Sequence, residues 1–180
     1  EGGGEGGTAV LEVSDVVSRQ YRATSLKTRI SVYAQWVLTL PFRLRYRLAY
    51  DHRLCRAVLG VFVRALLGFE QRRARVLGVR GRAGAATAIQ RCGSALNTNP
   101  HFHTLVPEGV FEEQPDGSHR FVPLREPPTD VEVARLLAVV RGRIIRLLRR
   151  HDIDLEGSLD DEHSDPLRFR IKFEARSSKS

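Results

Sequence analysis

Asn99-Pro100-His101-Phe102-His103-Thr104-Leu105-Val106 is the stretch on which the reading of this chain turns. Its apolar and β-branched residues read as a β-strand, and side chains along a strand alternate between two faces. His101 and His103 therefore share one face and Phe102 takes the other. Two imidazoles side by side can grip a metal ion from one side and leave its other side open to a substrate. The plainer alternative is a pair of hydrogen-bonded or surface histidines on a half-exposed strand.

Upstream, Ser31 to Thr39 carries Val32, Tyr33, Trp36, Val37 and Leu38, the composition of a strand, and Pro41 ends it. Arg43, Arg45 and Arg47 then alternate with Leu44, Tyr46 and Leu48. That alternation suits strand-edge arginines over core leucines, or phosphate contacts beside a base-stacking Tyr46. Asp51 caps a predicted helix to about Arg73, whose apolar residues Leu54, Val58, Val61, Phe62, Ala65, Leu66 and Phe69 recur at helical spacing. Gly78, Gly81 and Gly84 mark a loop, residues 85–92 read as a strand, and Cys92 to Ser94 and Asn97 to Pro100 as turns.

Downstream, the histidine strand is expected to run from about His101 to Phe111. Pro115-Asp116-Gly117-Ser118 reads as a hairpin turn and His119 to Leu124 as the returning strand. Thr129 stands three residues before Glu132, a capping box that opens a last helix. That helix places Val133, Leu136, Leu137, Val140, Ile144 and Leu147 on one face and Arg135, Arg143, Arg146, Arg149 and Arg150 on the other. The order strand, helix, three strands, helix predicts an α+β fold with helices against a mainly antiparallel sheet.

The 180 residues suffice for one domain, and their net charge of +8 is unevenly spread. Residues 1–18 hold four acids and no base, residues 19–150 hold 24 bases against 9 acids, and residues 151–180 hold 5 bases against 8 acids. A central segment this basic suits a polyanion, most often nucleic acid. Arginine outnumbers lysine 26 to 3, which coding bias in a GC-rich genome also produces. Cys55 and Cys92 match no metal or redox spacing and read as small buried residues of a reduced, cytoplasmic protein. No apolar run approaches the roughly 18 residues of a membrane span. The absence of methionine suggests a fragment or a translation without its natural start.

Two blocks carry a family resemblance. Gln90-Arg91-Cys92-Gly93-Ser94-Ala95-Leu96-Asn97-Thr98-Asn99-Pro100-His101-Phe102-His103-Thr104-Leu105-Val106 resembles the signature of rolling-circle insertion-sequence transposases, the two-tyrosine, His-hydrophobic-His type of the insertion sequence ninety-one group. Gln35-Trp36-Val37-Leu38-Thr39-Leu40-Pro41-Phe42-Arg43-Leu44-Arg45-Tyr46, followed by Leu48-Ala49-Tyr50-Asp51, is similar to the same family, as is Gly109-Val110-Phe111. The resemblance covers about residues 30–157.

It implies a His-hydrophobic-His endonuclease fold acting in DNA transposition in bacteria. His101 and His103 would hold a divalent metal, magnesium or manganese, with Gln90 as third ligand, while a tyrosine attacks single-stranded DNA at transposon ends. DNA contacts are expected from Arg43, Arg45, Tyr46, Arg143, Arg146 and Arg150. The family's nucleophilic tyrosines lie on a helix downstream of the histidines, whereas Tyr21, Tyr33, Tyr46 and Tyr50 all lie upstream here. No catalytic residue is therefore assigned, and the chain is expected to be inactive alone. Residues 1–30, which lack the family's cysteine-rich zinc region, are expected to be disordered or foreign. Residues 31–157 would be the catalytic core fragment, and 158–180 a disordered or frame-shifted tail. The alternative function is a non-catalytic basic nucleic-acid-binding module.

Overall fold

The computed structural model describes residues 32–92, 98–153 and 169–177. Six strands and three helices follow one another as β1 (Val32–Thr39), α1 (Phe42–Tyr50), α2 (His52–Val76), β2 (Ala86–Cys92), β3 (Thr98–Pro107), β4 (Gly109–Glu113), β5 (His119–Pro123), α3 (Asp130–Arg149) and β6 (Arg170–Ser177). Four strands form an antiparallel sheet in the order β2-β3-β1-β6, and β4 and β5 form a separate two-stranded sheet. The fold is α+β, as the sequence predicts.

Alternation divides the main sheet into two unlike faces. Trp36, Leu38 and Phe102 on one face are fully buried and share a core with Phe62, Leu66 and Phe69 of α2 and Leu136, Val140, Ile144 and Leu148 of α3. Trp36 meets Phe69 and Phe173 edge-on, with ring centroids 5.8 and 4.8 Å apart. Such pairs add to area burial because the positive ring edge meets the negative ring face. Thr104, also buried on this side, is satisfied by a 2.9 Å hydrogen bond to the Thr87 hydroxyl.

The starts of α2 and α3 follow their caps. The Asp51 carboxylate accepts from the backbone N–H groups of Arg53 and Leu54, at 3.0 and 2.9 Å. Thr129 and Glu132 form the expected reciprocal box. Helix α2 continues past Arg73 to Val76 and stops where Gly78 adopts φ +77°, a conformation glycine takes without strain.

Four expectations need correction. The Arg43 to Leu48 alternation is helix α1, not a strand edge: Leu44 and Leu48, four apart, are the buried pair. Thr98 to Pro100 is already strand rather than turn. The histidine strand does not run on to Phe111; it ends at Pro107, and a new strand starts at Gly109. A Cβ at Gly109 would lie 2.4 Å from the Val122 carbonyl oxygen, so this close crossing requires glycine. Residues 158–180, read as a disordered or frame-shifted tail, include the ordered strand β6, which pairs with β1 along its whole length and follows the buried Phe169. Residues 1–30 lie outside the described residues.

Candidate metal and nucleic-acid site

The second sheet face carries the polar residues in rows set by register. Directly opposed residues of antiparallel strands project from the same face. Gln90, His101, Thr39 and Arg170 line up across β2, β3, β1 and β6. The next row is Ala88, His103, Val37 and Lys172, and the row beyond is Ala86, Leu105, Gln35 and Glu174. The structure thus brings Gln90 opposite His101 on the face that carries the histidine pair. Strands β3 and β1 are the two inner strands, so the pair sits mid-sheet.

Each imidazole is held through its Nδ1 by β1. His101 Nδ1 lies 3.2 Å from the Thr39 hydroxyl, and His103 Nδ1 lies 3.2 Å from the Gln35 carboxamide. Metal-bound histidines are commonly oriented this way, by a partner on the nitrogen that does not ligate. The ring centroids stand 6.4 Å apart. An ion at about 2.1 Å from one nitrogen of each ring, at right-angle or tetrahedral geometry, places the centroids roughly 4.5–5.5 Å apart. The two rings must therefore close by about 1 Å to share an ion of that geometry. Burial first, then Arg45 and His103, holds the His101 imidazolium below its ordinary range, which keeps the ring neutral and its lone pair available at neutral pH. Imidazole suits zinc, copper, iron or nickel and a carboxamide oxygen suits magnesium, calcium or manganese, so the donor types fit a divalent ion without selecting one. Among the described residues, no group of three or more His, Cys, Asp or Glu forms a metal cluster, so any site here relies on the carboxamide.

Cationic side chains flank the pair at the Thr39 end. The Arg45 Nε donates to the Leu40 carbonyl at 2.9 Å, which fixes the side chain within electrostatic reach of His101. Burial, then neighbouring Arg170, lowers the Arg45 affinity for its proton. Arg43 and Tyr46 lie on the exposed side of α1, where Tyr46 and Tyr50 are 67% and 66% exposed with ring centroids 4.7 Å apart. Arg143, Arg146 and Arg150 are placed elsewhere. They project from the solvent side of α3, a helix packed on the opposite face of the sheet. Of the expected DNA contacts, Arg45 is the one the fold brings to the histidines.

Sequence reading missed Gln35, Thr39 and Arg170. Their only signal is cross-strand register, since Thr39 and Gln35 stand 62 and 68 residues from their histidines.

With this arrangement established, its likeness to known proteins can be placed. The class is an α+β protein with a histidine pair on an inner antiparallel strand. The family model described as "Putative transposase" matches residues 84–164, from the strand bearing Gln90 through the histidine strand and α3. That stretch of the chain is similar to transposases, which supports a function in transposition. No curated protein and no solved structure matches the chain. No helix among the described residues is long and apolar enough to cross a membrane.

Proposed function

We propose that this chain is the core of a rolling-circle, His-hydrophobic-His transposase that binds single-stranded DNA and a divalent metal. The observation that carries the reading is the mid-sheet histidine pair, both Nδ1 atoms held from β1, with Gln90 directly opposite His101 on the neighbouring strand. His101, His103 and the Gln90 carboxamide oxygen would hold manganese or magnesium. When bound, the ion supplies Lewis-acid polarisation of the scissile phosphate. Arg45, Arg170 and Lys172 draw the phosphodiester toward the same face. Tyr46 offers a ring on which an unpaired base can stack. Arg143, Arg146 and Arg150 reach only DNA that extends around the far side of the molecule.

Strand transfer needs a tyrosine oxygen to attack phosphorus while the 3′ oxygen leaves, conserving the ester as a phosphotyrosine. The chain has no tyrosine after His103, Tyr33 is buried in the fold, and the exposed Tyr46 and Tyr50 lie in the upstream block, where the resemblance implies scaffold or DNA-contact roles. On this reading the nucleophile is supplied from outside these residues, and the chain alone forms no covalent adduct. Incubation with a single-stranded oligonucleotide and manganese, followed by denaturing electrophoresis, tests this; an adduct band overturns it.

The absence of a cluster of three or more His, Cys, Asp or Glu among the described residues favours a second reading, a basic nucleic-acid module without metal. Calorimetric titration with manganese separates the two. Equal affinity for the wild type and His101→Ala sinks the metal reading and leaves the module.

A further inference from the structure

Among the described residues, β1 buries two polar atoms that have no partner, Trp36 Nε1 on the packed face and Gln35 Oε1 on the histidine face. Gln35 is 4% exposed, yet among the described residues its one hydrogen bond goes to His103. A buried amide left half satisfied weakens the fold, and an aliphatic residue would pack there at lower cost. Places where a chain breaks such a rule are where function commonly sits. Two residues further along β1, past Val37, Thr39 makes the matching contact to His101.

We propose that Gln35 is a positioning residue that fixes the tautomer of His103, with Thr39 doing the same for His101. The inference rests on the metal reading above, which it deepens. The amide oxygen and nitrogen exchange places by rotation about one bond, and their assignment follows from the hydrogen-bond network chosen. The structure places the Gln35 Nε2 toward the ring, 3.2 Å from His103 Nδ1; in that orientation Nδ1 accepts, the ring proton sits on the ring Nε2, and that nitrogen cannot ligate. With Oε1 toward the ring, Nδ1–H donates to it, and Nε2 carries the lone pair a metal needs. The second orientation is the functional one. The Thr39 hydroxyl oxygen accepts from His101 Nδ1–H in the same sense. One strand thereby presets both rings for ligation through Nε2 before any ion arrives.

The test uses the intact chain and two readouts. Nitrogen-15 spectra of the metal-free protein report which ring nitrogen carries the proton. Wild type is expected to show His103 protonated on Nδ1. Gln35→Leu loses that preference, and Gln35→Glu, which keeps an acceptor, restores it. Manganese affinity is expected to fall about 10- to 100-fold in Gln35→Leu and to survive in Gln35→Glu. The melting temperature of Gln35→Leu is expected to hold or rise, because a half-satisfied amide is removed. A purely structural role predicts the reverse, with melting and affinity falling together, and that result overturns the proposal. So does a wild-type His103 protonated on Nε2, or a Gln35→Leu variant with unchanged tautomer. Failure of the metal reading is distinguishable: wild type then binds no manganese, while the tautomer spectra still decide what Gln35 does.

Discussion

Phe102 and its two histidine neighbours are adjacent in the chain and do opposite work. Phe102 is fully buried against Leu38 and Ile89 on the packed face, where area removed from water stabilises the sheet. His101 and His103 stand half-buried on the other face, where burial only tunes proton affinity and hydrogen bonds set orientation. A single strand thus separates core packing from half-buried polar groups by parity. Residues of one parity pack on the helices, and the two histidines of the other parity stand clear of that core.

Substitutions can break that division. The largest effect is expected from Phe102→Ala, which should cost about 3–5 kcal/mol in denaturant unfolding. A loss below 1 kcal/mol would mean the packed face is not the source of stability.

Next comes Glu70 in the helical layer, 3% exposed and bonded to Arg73 at 3.1 Å. Burial raises its pKa from 4.5 to about 7 against the pull of Arg73. Because the folded value lies above the unfolded one, folding takes up a proton in this window. The cost to stability is absent below about pH 4.5, grows as pH rises, and is complete above about pH 7. Glu70→Gln keeps an acceptor for Arg73 and should raise stability at pH 8 by on the order of 2–3 kcal/mol, with no gain at pH 4. Equal gains at both values would show that the carboxylate does not titrate this way.

On the chemical face the signs should differ. His101→Ala is expected to change stability by less than about 1 kcal/mol while lowering manganese affinity at least about tenfold. Loss of folding instead would erase the distinction between the faces. The smallest effect compares two arginines. Arg45→Ala should reduce the salt dependence of binding to a short single-stranded oligonucleotide by about one contact, and Arg146→Ala should leave it unchanged. Fluorescence anisotropy across a salt series measures both, and equal slopes would place the DNA on both sides of the molecule.

The histidine face was legible because period-two alternation survives in sequence, and the starts of α2 and α3 were legible because Asp51 and Thr129 act on neighbours only two or three residues away. Helix α1 was misread because arginine and leucine alternate by chance while the Leu44 and Leu48 pair fits helical spacing equally well. Strand β6 was missed although Phe169, Ile171 and Phe173 alternate cleanly, because the acidic residues before it suggested a tail. Gln35 and Thr39 could not be found from local pattern. Their role exists only through the pairing of β1 with β3, which the chain specifies by global packing rather than by spacing.

That pairing has a kinetic consequence. Thr39 and Gln35 meet their imidazoles only after closure of loops spanning 62 and 68 residues, which contain both α1 and α2. Non-local closure of this kind slows folding, because chain entropy is lost before contacts reward it. The two histidines are neighbours from synthesis, but their ordered state arrives only with the completed sheet. A signal from those rings during refolding would therefore time the last assembly of the domain rather than its first collapse.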